Sequence, residues 1–364
     1  MHPEAIEAMV HCLRDAHANP SGSHGPARGS RKVIDEARDM VAGIIGCRPG
    51  EVVFNSGGTE GANNAVLGAV RRNGGTAVCS AAEHHAVLHC VEHVSGTVVP
   101  VTAGGVIDID ALSEILQMHA DVAVVSVMAV NNETGAVTDL ESVAATVRRH
   151  APRAVFHTDA VQAASWFDLS SVWPLVDVLT LSAHKFGGPK GTGVMAVREG
   201  VTLEPLVLGG GQERDRRSGT QNVAGIAGTA VALAVTASAR NTTVERVADL
   251  RRRLVEGIVS VVPCASETLP GSVAGIAHLC FRGLESESLL FLLDEQGVSV
   301  SAASACASGA MEPSHVLAAM GVPADRMMGS VRYSLGHDTT ESDIEIAVAA
   351  SIAAAGRLSA GRST

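Results

Sequence analysis

Aromatic residues are scarce in this 364-residue chain, which contains two Trp, one Tyr and six Phe and is only 2% aromatic. Charged residues are also few, at 18% compared with about a quarter in typical globular domains. The hydrophobic fraction is nevertheless an ordinary 46%, because Ala and Val are abundant. We therefore expect a finely packed aliphatic core, and the chain is long enough for two domains.

No C-x-x-C pair occurs among the seven cysteines, which are odd in number and widely scattered. This pattern argues against a disulfide framework and against a zinc site, so we expect no bound metal and a reducing, cytoplasmic location. Six of the seven lie in helix or strand patterns and are expected to pack in the interior: Cys12, Cys47, Cys79, Cys90, Cys264 and Cys280.

Basic patches are also lacking, and the net charge is −11, from 27 Lys and Arg against 38 Asp and Glu. We therefore expect no direct binding to nucleic acid or to an anionic membrane. The opening residues, MHPEAIEAM, are acidic and lack the apolar stretch of a signal peptide. The most apolar segment, residues 225–239, is too short to span a membrane and is expected to form a buried helix.

Short β-branched strands alternate with amphipathic helices from about residue 33 to residue 240, which predicts an α/β domain around a mostly parallel, seven-stranded sheet. The predicted strands are 51–54, 76–79, 97–101, 122–127, 154–158, 176–181 and 193–197. The predicted helices are 3–16, 33–45, 60–72, 86–92, 109–118 and 140–150, followed by two longer ones at 222–239 and 244–261. We expect a large domain over residues 1–240 and a smaller α+β domain over residues 241–364.

Polar residues follow two of these strands, where ligands bind in open α/β sheets. Residues 56–60 (SGGTE) run into a helix and predict a phosphate cup, although a glycine turn with Thr59 as helix N-cap explains the same residues. Lys185 follows the 176–181 strand, and we expect a sheltered cleft in which desolvation lowers its pKa and favours Schiff-base formation. Ser182 and His184 are expected to face the same anion as Thr59; a solvated loop lysine is the simpler alternative.

Asp159 comes directly after the 154–158 strand, with Gln162 one helical turn further on. An acid at this place pairs with a protonated pyridine nitrogen, which together with Lys185 indicates a pyridoxal 5'-phosphate (PLP) site; a helix N-cap is the alternative role. His84 follows the 76–79 strand, where its ring can stack on the cofactor and move protons. A structural histidine near a helix start is the alternative for His84.

Eight motifs occur in the same order as in the cysteine desulfurases, which this chain resembles over nearly its whole length. They are residues 56–60 (SGGTE), 83–84 (EH), 130–135 (VNNETG), 157–162 (HTDAVQ), 182–185 (SAHK), 209–213 (GGGQE), 217–220 (RSGT) and 304–306 (SAC). The cysteine desulfurases are PLP enzymes of the class V aminotransferase group with fold type I. The resemblance implies the same fold, with PLP in the large domain and the smaller α+β domain at the C-terminal end.

The resemblance also implies roles for individual residues. Lys185 is the residue that PLP attaches to, Asp159 pairs with the pyridine nitrogen, and His84 is the ring-stacking acid and base. The implied cofactor and substrate contacts are Gly58, Thr59, Ser182 and His184 for the phosphate, Gln162 and Asn132 for the ring and its substrate side, and Arg332 for the substrate carboxylate. Thr220 is similar to a phosphate ligand that the neighbouring subunit supplies, which implies a homodimer.

Cys306 lies in a run of small residues, 301–310, that we expect to be a mobile loop followed by a helix at 312–320. Such a tether suits a nucleophile that takes sulfur and then hands it on. The resemblance implies that Cys306 removes sulfur from L-cysteine, carries it as a persulfide and releases L-alanine. The acceptor would be an iron–sulfur scaffold or another sulfur acceptor, for tRNA thiolation, cofactor sulfuration or DNA sulfur modification. A buried packing cysteine is the structural alternative.

Two other functions remain open at this point. A selenocysteine lyase, or another class V enzyme acting by transamination or β-elimination, would not need a thiol at Cys306. A non-catalytic PLP-fold scaffold is the third alternative, supported only because the family usually has a strand and a polar loop before the segment that resembles residues 2–5. The chain also has Ala302–Ala303 where Ser-Gly is common and Asp215 where Gly is common.

Overall fold

The computed structural model describes residues 1–302 and 313–360, and the backbone alone at residues 306–307 and 310–311. The chain divides into two compact units. Unit 1 contains Met1–Val99, Asp108–Ala129 and Thr138–Arg240, and unit 2 contains Pro100–Ile107, Val130–Val137 and Asn241–Thr364. Two short segments that the sequence analysis placed in the first domain therefore belong to unit 2.

Unit 1 contains the predicted seven-stranded sheet. Its strands are β1 (Val52–Asn55), β2 (Thr76–Ser80), β3 (Thr97–Val99), β4 (Val122–Ser126), β5 (Val155–Asp159), β6 (Val178–Ser182) and β7 (Gly193–Val197). They are ordered β1-β7-β6-β5-β4-β2-β3, and β7 alone runs antiparallel to its neighbours. Every residue of β4, β5 and β6 is buried, as expected for parallel strands covered on both faces. The predicted fold class is confirmed.

Helices surround this sheet. They are α1 (Pro3–Asp15), α2 (Gly25–Ile45), α3 (Gly58–Asn73), α4 (His85–His93), α5 (Ile109–Met118), α6 (Leu140–His150), the short α7 (Leu169–Val172) and α8 (Val223–Val259). Small side chains of α3 and α4 pack on β2 and β4 in a core that includes Cys79 and Cys90. Of the other cysteines predicted to pack, Cys12 and Cys280 are buried, whereas Cys47 and Cys264 are half-buried.

Two predicted helix boundaries are wrong. Helix α2 begins eight residues before the predicted start, because His24 caps it by accepting from the Ala27 N–H and a proline occupies its first turn. The two helices predicted at 222–239 and 244–261 are one continuous helix, α8, since residues 240–243 contain neither Gly nor Pro to end it. Helix α8 is therefore long and apolar enough to cross a membrane, but 61% of its most apolar stretch is buried in the protein.

Unit 2 is built on a three-stranded antiparallel sheet with strand order β12-β9-β8. Its elements are β8 (Ala265–Glu267), β9 (Ile276–Phe281), α9 (Ser286–Asp294), β10 (Cys306–Ala307), β11 (Ala310–Met311), α10 (His315–Ala319), α11 (Ala324–Met327), β12 (Ser330–Ser334) and α12 (Glu341–Ala360). The helix predicted at 312–320 is the shorter α10, which Ser314 caps. The predicted mobile loop, residues 301–310, lies largely outside the described residues.

A buried ion pair in unit 1 holds the loop that carries Thr220. The Arg38 guanidinium donates to both carboxylate oxygens of Glu213 at 2.9 and 2.8 Å, and both side chains are almost fully buried. The Phe54 N–H donates to the same carboxylate at 2.9 Å. Glu213, Arg214 and Asp215 all adopt positive φ angles of 49°, 58° and 62°, a conformation unfavourable for non-glycine residues. The anchored carboxylate therefore compensates for local backbone strain.

We predict that Arg38→Ala lowers the free energy of unfolding by about 3–5 kcal/mol, because it leaves the Glu213 carboxylate buried without its countercharge. Arg31→Ala on the same helix is the control, since the Arg31–Asp35 pair is solvent-exposed and its loss should cost less than about 1 kcal/mol. Urea unfolding of both variants makes the comparison. Equal destabilisation of the two would contradict a structural role for the buried pair.

Candidate active site

The carboxyl ends of six strands, all except β7, lie at one edge of the sheet in unit 1. The register places Ser182 of β6 and Asn55 of β1 opposite the same residue, Gly193 of β7. On the other side of β6, Asp159 of β5 pairs with Thr180. Residues that are distant in sequence are therefore brought to neighbouring strand ends, as the alternating pattern predicted.

The predicted phosphate cup lies at the start of α3. Gly57 is the N-cap and supplies no side chain to the first helical N–H groups, and its own N–H donates to Asn55 Oδ1 at 3.0 Å. Thr59 is inside the helix and exposed, so its alternative role as N-cap is wrong. A Cβ at Gly58 would lie 2.6 Å from Val161 Cγ2, and one at Gly57 would lie 3.4 Å from Ser182 Oγ. Gly58 is therefore required by the closeness of Val161, and Gly57 by its positive φ of 145°.

Ser182 and His184 share a hydrogen bond, with 3.0 Å between Oγ and Nδ1. Desolvation, with contributions from Lys185 and Lys190, lowers the pKa of His184, which favours the neutral imidazole. Beside the cup, the Glu60 carboxylate accepts from the Arg217 guanidinium at 2.9 Å and from the Ser56 N–H at 3.0 Å. The helix N-terminus and a hydroxyl thus converge where an anion would bind.

Asp159 ends strand β5 as a buried carboxyl. Its Oδ1 accepts from the Val161 N–H at 2.9 Å, a turn that is not a helix N-cap. Burial raises the pKa of Asp159 to about 6, opposed by that N–H and by the charge of Lys185. A cationic partner at the Asp159 carboxylate would remove this penalty, which is what a protonated pyridine nitrogen offers.

Glu83 is a second buried carboxyl that interacts electrostatically with Asp159. Its Oε1 accepts from the Met128 N–H at 2.7 Å, and burial raises its pKa well above the ordinary value. Behind them, the His157 ring lies between Ser126 Oγ at 2.8 Å and Thr180 Oγ1 at 3.2 Å. Burial lowers the pKa of His157 to about 3, so this imidazole is neutral and structural at physiological pH.

Lys185 lies on the single 3₁₀ turn Ala183–Phe186 directly after β6. The Lys185 side chain is exposed to solvent in this structure. The prediction of a sheltered, desolvated lysine is therefore wrong for the single chain. The reason is local, because Ala183 and Phe186 occupy the buried side of the turn. The charge of Lys185 nevertheless lowers the pKa of Asp159, so the two groups are close enough to interact electrostatically.

His84 is the N-cap of α4, and its Nδ1 accepts from the Ala86 N–H at 3.0 Å. His84 therefore has the structural role at a helix start that the sequence analysis considered. The hydrogen bond to Ala86 orients its ring at the edge of an open cavity of about 580 Å³. The lining residues are Thr59, Asn63, Leu67, His84, His85, Ala86, His89, Cys90 and His93. Thr59 of the predicted cup and His84 thus face one cavity.

Unit 2 brings Arg332 and Asn132 together. Arg332, on β12, donates through Nη1 to the Asn132 carbonyl at 2.8 Å, while its buried Nε makes no hydrogen bond. The Glu133 carboxylate accepts from Ser314 Oγ at 2.5 Å and acts electrostatically on Arg332. Burial lowers the pKa of Arg332, opposed by Glu133, yet arginine remains charged. A half-buried guanidinium that is already oriented by the Asn132 carbonyl suits a carboxylate ligand.

The remaining predicted residues are less well defined. Gln162 is half-buried on the turn after β5, and Thr220 is exposed at the end of the loop that Glu213 anchors. The backbone of Cys306 pairs with Met311 between β10 and β11, but its side chain lies outside the described residues. Among the residues that are described, no group of three or more His, Cys, Asp or Glu is placed to hold a metal ion.

The sequence analysis assigned no role to two buried acids of the site, Glu83 and Glu133. Both belong to motifs already noted, 83–84 and 130–135, but their roles depend on partners far away in sequence, Met128 and Ser314.

Residues of unit 1 fit PLP. The glycine-lined helix start with Ser182 suits its phosphate, the buried Asp159 carboxyl suits its pyridine nitrogen, and Lys185 follows on the next strand end.

Residues 1–346 match the family described as Aminotransferase class-V, and the chain belongs to this family. It is 41% identical over 363 residues to the IscS-like cysteine desulfurase of Mycobacterium tuberculosis, covering 96% of this chain and 92% of that protein. A solved NifS-like protein superposes with a TM-score of 0.90 at 31% identity, covering 99% of this chain and 96% of that one. A structure of SspA in complex with cysteine gives 0.78 at 29%, covering 92% and 95%. Within class V, the chain is therefore a member of the cysteine desulfurases.

We predict that ionisation of Asp159 destabilises the PLP-free protein. Because the folded-state pKa of about 6 lies above the ordinary 3.8, the folded state holds this proton more tightly than the unfolded chain. Relative to Asp159→Asn, the wild type should lose about 3 kcal/mol of unfolding free energy as pH rises from about 3 to about 7. Urea unfolding of both proteins across this range measures it, and a difference independent of pH would contradict the prediction.

Proposed function

We propose that this protein is a PLP-dependent cysteine desulfurase that converts L-cysteine to L-alanine and carries the sulfur as a persulfide on Cys306. The observation that carries the proposal is the grouping at the strand ends of unit 1, where the buried Asp159, the Lys185 turn and the cup at Gly58 and Ser182 lie together. The membership in the cysteine desulfurases supports the substrate.

In this proposal Lys185 holds PLP, Asp159 keeps the pyridine nitrogen protonated, and Gly58, Thr59, Ser182 and His184 bind the phosphate. Bound PLP supplies the electron sink that lowers the barrier to loss of the substrate Cα proton. Asp159 suits its task because a nearby cation turns a costly buried carboxylate into a stable ion pair. His84, whose ring is oriented by its bond to the Ala86 N–H, is the acid and base that moves the substrate proton. Gln162 and Asn132 contact the ring and its substrate side.

Arg332 binds the carboxylate of L-cysteine. Its Nη1 donates to the Asn132 carbonyl, which orients the planar guanidinium for a carboxylate. Glu133 lowers the cost of keeping this guanidinium buried, since its carboxylate acts on Arg332 and is itself held by Ser314. The arginine is thus oriented before substrate arrives, which reduces the ordering cost of binding.

Cys306 performs the sulfur transfer. Its thiolate attacks the substrate Sγ, a new S–S bond forms, and the Sγ–Cβ bond breaks with its electron pair remaining on Cβ. Protonation of Cβ and return of a proton to Cα complete L-alanine, and the outer sulfur stays on Cys306 as a persulfide. A selenocysteine lyase would not depend on this thiol, so the dependence on Cys306 separates the two activities.

We further propose that the protein is a cytoplasmic homodimer that passes sulfur to an iron–sulfur scaffold or another acceptor protein. The exposed Thr220, at the end of a strained loop anchored by Glu213, supports a phosphate contact supplied to the neighbouring subunit. Free thiols at the six cysteines of the described part of the chain suit a reducing compartment.

We predict that Cys306→Ala abolishes sulfur transfer but still binds PLP, because the thiol is needed only for the attack on Sγ. Alanine release from L-cysteine should fall by roughly 100-fold or more. Cys264→Ala is the control, since this half-buried cysteine belongs to the same unit and has no assigned role. Alanine is quantified after reaction of PLP-loaded protein with L-cysteine, and desulfuration by Cys306→Ala at the wild-type rate would refute the assignment.

A further inference from the structure

Three successive carbonyls of the turn that carries Lys185 accept hydrogen bonds from three other parts of unit 1. The donors are Ser165 Oγ to the Lys185 carbonyl at 3.3 Å, Thr236 Oγ1 to the Phe186 carbonyl at 2.9 Å and the His2 N–H to the Gly187 carbonyl at 2.9 Å. A single 3₁₀ turn has few hydrogen bonds of its own, so these external donors determine where it lies.

His2 also packs directly on the turn. Gly187 adopts a φ of +77°, and a Cβ there would lie 2.3 Å from His2 Cδ2, so any larger residue would collide with the ring. The His2 Nε2 atom lies 3.1 Å from Thr236 Oγ1. Since the Thr236 hydroxyl gives its proton to the Phe186 carbonyl, its oxygen accepts the proton of His2 Nε2. His2, Thr236 and Phe186 thus form one directed chain of hydrogen bonds.

Helix α8 holds the segment from Ala183 to Thr192, which carries Lys185, at two points. Thr236 binds the Phe186 carbonyl, and Thr229, seven residues earlier on the same helix, lies 2.8 Å from Thr192 Oγ1. Residues seven apart are two turns from each other and share a helix face. The Thr192 carbonyl in turn accepts from the Ala183 N–H at 3.1 Å. The segment from Ala183 to Thr192 is therefore fastened to one rigid helix at two points.

We propose that Thr236, supported by His2, is a positioning residue for Lys185: it fixes the turn so that the exposed lysine amine is presented beside Asp159 to the cofactor carbonyl. The inference rests on the proposed function, because it requires that Lys185 binds PLP covalently. The Lys185 side chain starts from this turn, so the position of the turn backbone sets where the amine can reach.

The test measures PLP attachment to Lys185 rather than turnover. Apoprotein is mixed with PLP, the adduct is fixed with borohydride at timed intervals, and the labelled peptide is quantified by mass spectrometry. Thr236→Val removes the hydroxyl without changing the side-chain volume and should slow attachment about tenfold. Thr236→Ser keeps the hydroxyl and should restore the rate to within twofold of the wild type.

Thr242→Val is the matched control, because Thr242 is an exposed threonine on the same helix, and it should behave as the wild type. His2→Phe is a second variant, which removes the Nε2 donor, keeps a ring against Gly187 and should slow attachment in the same direction. The pH at which the visible absorbance of lysine-bound PLP titrates should also shift in Thr236→Val and not in Thr236→Ser.

Attachment by Thr236→Val at the wild-type rate, with an unchanged titration, would overturn the inference while leaving the proposed function intact. Failure of the wild type itself to attach PLP at Lys185 would overturn the proposed function. Slow attachment by both Thr236→Val and Thr236→Ser would also count against the inference, because the hydroxyl would then not be the cause.

Discussion

The parallel pairing of β5 with β6 is the constraint on which the candidate active site depends. It aligns Asp159 with Thr180, so that the Asp159 carboxyl, Ser182 and the Lys185 turn emerge at one edge of the sheet. Each crossover between parallel strands starts at the same edge of the sheet, so the polar residues that follow these strands lie together there. If this register slipped by one residue, Asp159 would point to the other face of the sheet.

Electrostatics at that edge follow from burial. Asp159 and Glu83 are carboxyls in a nearly dry environment, and burial raises the pKa of both. The neutral His157 beneath them contributes hydrogen-bonding capacity without adding charge. Ionised carboxylates at this site are therefore energetically unfavourable unless a cation binds beside them. This favours a cofactor with a protonated ring nitrogen.

The sequence predicted the sheet and the strand-end residues well, because buried parallel strands such as VAVVS in β4 have a distinctive apolar composition. It could not predict that α8 is continuous, since the polar residues 240–243 resemble a linker while lacking a helix breaker. Nor could it reveal the exposure of Lys185, which depends on which side of a short turn packs inward. The roles of Glu83 and Glu133 depend on distant partners, which local patterns do not encode.

Conversion of L-cysteine to L-alanine with transfer of sulfur is the reaction to which every residue role above is assigned. The most direct test supplies purified, PLP-loaded protein with L-cysteine and a thiol reductant, and quantifies alanine and sulfide together. We expect equal molar yields of alanine and sulfide, because each persulfide formed on Cys306 is matched by one alanine and its outer sulfur is released by the reductant. A PLP-bound protein that releases neither alanine nor sulfide would contradict this assignment.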